Sequence, residues 1–165
     1  IWFMNGLNAN ASQLETFGAG WKYEEGDFDG NLTTDILWEN TSTGETKVWL
    51  MSGSNVTAAD LPTLGAGYES RIGDFNADGK MDILWRNQST GENVAWIMNG
   101  SQATPVELQQ FGPEWDATVG DYDGDGDTDV FGRNTQTGEN FFLRVDGTDV
   151  VEEELPTLPT EWVFR

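Results

Sequence analysis

The chain has 165 residues with no cysteine and no histidine, and its formal net charge is −21. This excess of acidic residues excludes nucleic acid and anionic membrane surfaces as partners, because contacts to phosphate groups need clustered lysine and arginine. The absence of cysteine excludes a disulfide framework, the absence of histidine removes the commonest general base, and no apolar run is long enough for membrane insertion.

The sequence is built from a repeat with a period of 47 residues. Three copies of one acidic loop begin at residues 27, 74 and 121, and aromatic residues recur with the same spacing. They are Trp21, Tyr68, Trp115 and Trp162 in one series, and Trp2, Trp49 and Trp96 in the other. Self-similarity at a fixed period of this length indicates an array of supersecondary units, so the repeat sets the architecture.

Each period contains four segments with the length and composition of β-strands. The first runs from Trp21 to Phe28 and leads into the acidic loop. The second is a short apolar segment, followed by a turn in which glycine closes a hairpin. A second turn signal separates the third strand from the fourth. For the second, third and fourth strands, the predicted segments are 35–40, 47–51 and 56–61; 82–87, 95–98 and 103–108; and 129–134, 140–143 and 150–155.

Four short antiparallel strands in about 47 residues correspond in size to one blade of a β-propeller. No segment has a helical period, so the predicted fold class is all-β, with about 3.5 blades in this chain. The single propeller segment 1–165 divides into a half blade at 1–20, blades at 21–67, 68–114 and 115–161, and the start of a further blade at 162–165. We therefore expect part of a larger propeller, completed either by a longer polypeptide or by a homo-oligomer.

The acidic loop is best developed between Asp121 and Asp129, where five aspartates alternate with other residues. Gly126 at position 6 of the loop permits a positive φ, which lets the backbone fold the carboxylates around one point. Oxygen-bearing side chains at alternate positions, with a backbone carbonyl at position 7, suit a calcium ion, which takes about six to eight oxygen ligands. The loops therefore predict bound Ca²⁺, with up to three ions in the chain.

The first loop differs from the other two at its sixth position. Leu32 replaces the glycine there and must accept a strained positive φ, so we expect the first metal site to be the weakest. An EF-hand is excluded for all three loops. Its bidentate glutamate at position 12 would fall on Trp38, Trp85 or Gly132.

The unit from Gly73 to Asn87, with copies that start at Gly26 and Gly120, resembles the FG-GAP/VCBS repeat of integrin α-subunit propellers, some lectins and many bacterial surface proteins. The resemblance covers essentially the whole chain and implies a seven-bladed, calcium-bearing propeller. It also implies metal ligands at loop positions 1, 3, 5 and 9 and at the carbonyl of position 7. These are Asp27, Asp29, Asn31, Thr33 and Asp35; Asp74, Asn76, Asp78, Lys80 and Asp82; and Asp121, Asp123, Asp125, Asp127 and Asp129. The departure at Gly132, where the other copies have tryptophan, concerns the packing of the third blade.

The tryptophans of the second strand admit two interpretations. Trp38 and Trp85, with polar residues beside them, could form a stacking face for a sugar. Their recurrence at fixed strand positions favours a core between blades instead, and the same holds for Trp21, Trp49, Trp96 and Trp115. If a glycan binds, we therefore expect it to contact polar loop residues at the blade junctions.

The regular repetition of the loops is typical of structural metal sites, whereas an active site is normally a single irregularity on its scaffold. We therefore predict a non-catalytic, calcium-stabilised module of a secreted or surface protein, bacterial in origin, that recognises a carbohydrate or a protein partner. One alternative is a self-assembling half-propeller of a surface fibre or matrix. Another is an accessory domain of a polysaccharide-degrading enzyme.

Overall fold

The computed structural model describes residues 2–5, 8–11, 15–146 and 149–162. Within them the prediction of an all-β fold made of four-stranded antiparallel blades is confirmed, with three complete sheets and a preceding two-stranded hairpin. The hairpin consists of β1 (Trp2–Asn5) and β2 (Asn8–Ala11). The described residues contain no helix with the length and apolarity needed to cross a membrane. The predicted start of a further blade lies, apart from Trp162, outside the described residues, as does the turn residue Gly147.

Each of the three sheets is a meander whose strands follow one another in chain order. The first comprises β3 (Trp21–Gly26), β4 (Asp35–Asn40), β5 (Thr46–Ser52) and β6 (Asn55–Asp60). The second comprises β7 (Tyr68–Gly73), β8 (Asp82–Asn87), β9 (Asn93–Asn99) and β10 (Gln102–Leu108). The third comprises β11 (Trp115–Gly120), β12 (Asp129–Asn134), β13 (Asn140–Asp146) and β14 (Asp149–Leu155). We refer to these sheets as the first, second and third blades.

The second strand of every blade has the predicted bounds, but the first strand is shorter than predicted. It ends at Gly26 rather than at Phe28, because the loop begins at Asp27, whose carboxylate accepts hydrogen bonds from amides further along the loop. The pairing register repeats with the sequence period. Lys47 pairs with Asp60 in the first blade, as Val94 pairs with Glu107 and Phe141 with Glu154 in the others.

The hydrophobic core lies between adjacent blades. One cluster joins residues of the first blade, such as Phe28 and Leu37, to Trp85 and Trp96 of the second. The other joins Phe75 and residues beside it in the second blade to apolar residues of the third. Trp85 and Trp96 are each 1% exposed and meet edge to face with their ring centroids 5.2 Å apart. The interpretation of these two tryptophans as core residues is confirmed, and Trp85 offers no face for a sugar.

The third blade replaces the tryptophan of the second strand with Gly132, and a phenylalanine on the neighbouring strand compensates. Phe141 is the direct cross-strand partner of Gly132, and a Cβ atom on that glycine would lie 1.9 Å from the phenylalanine ring. The same ring stacks on Phe111 with a centroid distance of 3.9 Å. The third blade therefore carries its large ring on the third strand instead of the second, and the space between the blades stays filled.

Buried arginines connect the second strand of a blade to the segment that enters the next blade. Arg86 donates hydrogen bonds to Asn93 Oδ1 at 3.0 Å, to the Gly112 carbonyl at 2.9 Å and to the Trp115 carbonyl at 2.8 Å. Arg133 occupies the equivalent position one repeat later and donates to Asn140 Oδ1 at 2.9 Å. Charge-assisted bonds of this kind fix the asparagines as well as the blade junctions.

Candidate metal centres

Each acidic loop curls around the carboxylate of its first residue. Asp27 accepts hydrogen bonds from the amides of Gly30 at 2.8 Å and Leu32 at 2.7 Å. In the second loop Asp74 accepts from Gly79 at 2.8 Å, and in the third Asp121 accepts from the Gly124 amide at 2.7 Å. These bonds fold the chain back on itself, and in the first and third loops the carboxylate at position 3 lies beside the first one.

The tight curl requires a positive φ at both position 4 and position 6. Leu32 has a φ of 65°, which confirms the strained conformation expected for it. Ala77 at position 4 of the second loop has a φ of 47°, and this second left-handed position did not stand out in the sequence. The signal available was the glycine at the same position in the other two loops, Gly30 and Gly124.

The aspartate at position 9 is buried and holds the loop against the third strand. Asp35 accepts hydrogen bonds from the Phe28 amide at 2.9 Å and from the Met51 amide at 2.7 Å. Asp82 makes the same two bonds with Phe75 and Met98, at 2.9 Å and 2.7 Å. In the third loop Asp129 keeps the first bond, to the Tyr122 amide at 3.0 Å, but its Oδ1 is buried without a hydrogen-bond partner.

Burial disfavours the ionised form of these aspartates. It raises the pKa of Asp82 to about 6, although the amides of Met98 and Phe75 oppose the shift. The pKa values of Asp35 and Asp129 are raised for the same first reason, with neighbouring carboxylates adding to the effect. Because an opposite charge favours the ionised form, a cation in the loop would offset this cost.

The loops differ in how far their carboxylates converge. In the first loop, ligand oxygens of Asp27, Asp29 and Asp35 all lie within 4.8 Å of one another. The third loop brings together Asp121, Asp123 and Asp129 to the same degree. The predicted ligands at position 5, Asn31 and Asp125, turn a side-chain oxygen toward the amide of position 7, at 2.7 Å and 3.0 Å. Two loops thus present three carboxylates to one point.

The second loop contains its own cation. Lys80 Nζ lies 2.8 Å from Asp78 Oδ2. Burial alone would raise the pKa of Asp78, but its hydrogen bonds and charge interaction with Lys80 outweigh burial and lower it. Within the described part of the chain, Asp74, Asp78 and Asp82 do not form a group of converging carboxylates like those of the other loops. Asn76 accepts from the Asp78 amide at 3.2 Å.

Adjacent loops are joined by backbone hydrogen bonds. The Met81 amide, at position 8 of the second loop, donates to the Asp27 carbonyl at 2.7 Å. The Thr128 amide donates to the Asp74 carbonyl at 2.6 Å in the same way. Gly26 faces Met81 so closely that a Cβ atom there would lie 3.0 Å from that side chain. The acidic loops therefore form one continuous row along one end of the blades.

Repeated four-stranded meanders with an acidic loop between the first and second strands define a β-propeller-type repeat module. A family model described as an FG-GAP-like repeat matches residues 27–85 and again residues 74–132. The chain belongs to this family. A search of curated proteins and a search of solved structures each found no match.

Proposed function

We propose that the chain is a non-catalytic, calcium-stabilised recognition module of a secreted or surface-exposed protein. The observation that carries the metal part of the proposal is the convergence of three carboxylates in the first and third loops. Asp129 Oδ1 adds a buried oxygen without a hydrogen-bond partner at the third loop. Donor sets made only of oxygen suit Ca²⁺, and extracellular calcium is concentrated enough to fill even weak sites of this kind.

The recognition part of the proposal has separate support. Repeats of this family are typically non-catalytic structural modules, which supports the non-catalytic part of the proposal. Of the two partner classes predicted from the sequence, we prefer a protein to a sugar stacked on the second-strand tryptophans. Trp85 is buried between blades, and the half-buried Trp38 packs against Phe17 and Trp49. The strongly negative chain, with 29 acidic and 8 basic residues, would also attract positively charged surfaces.

Calorimetric titration of the chelator-treated protein with CaCl₂ tests the metal part. We expect saturable binding at the first and third loops and a higher melting temperature in calcium than in EDTA. A ligand present at about 100 times its Kd stabilises a protein by about 2.7 kcal/mol.

The matched variants are Asp123→Ala, in the third loop, and Asp116→Ala, an exposed aspartate on the first strand of the same blade. Both remove one negative charge, but only Asp123→Ala should lower the number of calcium ions bound. Absence of binding heat together with equal melting temperatures in calcium and EDTA would contradict the proposal. A glycan-array screen is the complementary measurement, and selective glycan binding would overturn the preference for a protein partner.

A further inference from the structure

The second and third blades carry a cleft at the same place, at the end of the blade away from the acidic loop. The cleft of the second blade has a volume of about 340 Å³ and is lined by Tyr68, Glu92 and Glu107. That of the third blade has a volume of about 310 Å³ and is lined by Trp115, Glu139 and Glu154. The residues correspond one by one across the 47-residue repeat, so the two clefts are copies of one feature.

Both clefts combine an aromatic wall with carboxylates. Glu92 accepts hydrogen bonds from the Tyr68 hydroxyl at 2.9 Å and from Thr90 Oγ1 at 3.1 Å, which fixes it beside the ring. Glu107 and Glu154 are exposed, and neither has an ion-pair partner within the described residues. A ring face and a carboxylate each attract an organic cation, and together they favour an ammonium group over a neutral ligand.

In the first blade a lysine pairs with the carboxylate at the equivalent position. At the position of Glu107 and Glu154 it has Asp60, whose cross-strand partner is Lys47. The Lys47 ammonium donates a hydrogen bond to the Asp60 carboxylate, and this bond raises the pKa of the lysine. In the other two blades the cross-strand partner is apolar, namely Val94 or Phe141, so the carboxylate remains while the internal lysine is gone.

We propose that the clefts of the second and third blades bind lysine side chains of a protein partner. The partner's ammonium group lies against Glu107 or Glu154 as that of Lys47 lies against Asp60, and its aliphatic stem lies along Tyr68 or Trp115. Two equivalent clefts suit a partner that presents more than one lysine, because linked contacts raise the effective concentration of the second one. The inference rests on the proposed function only in that the blades recognise a partner, and it does not depend on calcium in the loops.

The binding test is an NMR titration of the intact chain, followed at the signals of Tyr68 and Trp115. The probes are a capped lysine peptide, the same peptide with an Nε-acetylated lysine, a peptide with two lysines, and putrescine. We expect the lysine peptide to shift both signals and the acetylated peptide to shift neither. The two-lysine peptide should bind at least about tenfold more tightly than the single-lysine peptide. Equal binding of the acetylated peptide overturns the proposal, as does putrescine binding as tightly as the two-lysine peptide, which would indicate free amines.

Substitutions in the protein itself test whether the lysine side chains bind in the clefts. Val94→Lys reproduces the first blade and should abolish the response at Tyr68 while the response at Trp115 persists; Val94→Met is the uncharged control of similar length. Lys47→Val should open a third site beside Asp60, reported by Trp21. An unchanged response at Tyr68 in Val94→Lys, or no third site in Lys47→Val, overturns the proposal. A cooperative melting transition in each variant confirms folding. Calcium stabilisation of the unmodified chain without any binding of the lysine peptide would count against this inference alone.

Discussion

The second and third blades have the same strands in the same register, and two of the differences between them are informative. Between the blades, Trp85 faces Val94 across the sheet in the second blade, while Gly132 faces Phe141 in the third. At position 7 of the acidic loop, the second blade has Lys80 and the third has Asp127. The second blade has its large ring on the second strand and a positive charge in the loop. The third blade has its large ring on the third strand and a negative charge at the same loop position.

This comparison shows that the register, rather than the residue at each position, is what the repeat maintains. Because cross-strand partners face the same side of a sheet, a large side chain on either of two paired positions fills the same space. The loops follow the same logic, since a lysine within the loop and a bound cation can satisfy the same carboxylate. Substitutions at the paired core positions and in the acidic loops test whether these groups can replace one another.

Gly132→Trp should destabilise the protein most, because the new side chain would occupy the space of the Phe141 ring. Overpacking of this kind costs about 3 kcal/mol, measured as the free energy of unfolding in urea. Phe141→Val alone should also destabilise, by about 2 kcal/mol, since it leaves a cavity beside Gly132.

The double variant recreates the pair found in the second blade and should recover most of the lost stability. The coupling energy of the double-mutant cycle measures the recovery. A double variant no more stable than Gly132→Trp would show that the two blades are not interchangeable at these positions.

Changing the charge of the residue at position 7 should change the calcium affinity of that loop. Lys80→Thr removes the internal cation and gives the second loop the residue of the first, so calorimetry should find calcium bound there at least about tenfold more tightly, or about 1.4 kcal/mol. Asp127→Lys should weaken the third site by a similar factor. Lys80→Arg keeps the charge and is the control for the first change, as Asp116→Lys is for the second. Affinities that do not move with the charge at position 7 would refute the equivalence.

The response to pH should differ without and with calcium. The pKa of Asp82 is raised to about 6 in the folded protein from an ordinary value of 3.8, so the folded state binds a proton before the unfolded state does. In EDTA, lowering the pH from about 7 to 5 should therefore stabilise the protein, by roughly 1 kcal/mol from this residue, given about 1.4 kcal/mol per pKa unit. The raised pKa values of Asp35 and Asp129 act in the same direction.

In calcium the metal competes with the protons of Asp35 and Asp129, so the additional stability that calcium confers should decline over the same range. Melting temperatures at several pH values in both buffers check this, with Asp82→Asn testing the response in EDTA and Asp129→Asn testing the competition with calcium. Parallel pH profiles in calcium and EDTA would count against metal binding by the buried aspartates.

The smallest effect concerns the first loop, which extends the comparison to a blade without glycine at position 6. Leu32 is 93% exposed and has a φ of 65°, so Leu32→Gly should relieve backbone strain without losing packing. We expect a gain of about 1 kcal/mol or less, because glycine also increases the entropy of the unfolded chain. Thermal melting in EDTA measures it. The control Gly126→Leu should shift the third loop the other way.

Much of the fold followed from the sequence because its signals are local and repeated. The second strand of each blade begins at an aspartate and ends at an asparagine, and the structure has these bounds. The core role of Trp85 and Trp96 was also predictable, since residues that recur at fixed strand positions face the same way in every blade. The first strand was predicted two residues too long because Phe28 is apolar and reads as strand, although it is buried from within the loop.

The rest depended on contacts that no single segment contains. Phe141 compensates for Gly132 only through the cross-strand register, which the sequence does not state. The pair of Lys80 with Asp78 is local. In the predicted ligand pattern, however, position 7 contributes only its backbone carbonyl, so the pattern does not take account of a charged side chain there. The raised pKa of Asp82 comes from burial, which depends on contacts between strands, and the hydrogen bond from the Met98 amide on the third strand opposes it.

The hydrogen bonds from Met81 to Asp27 and from Thr128 to Asp74 have a mechanical consequence. Each runs from one loop to the backbone of the loop before it, so one hydrogen bond between two peptide groups joins the two loops. Pulling two blades apart at this end must break that bond and separate Gly26 from Met81 in the same motion. The loops are thus linked in series, and stiffness imposed on one loop is passed to its neighbour through this hydrogen bond.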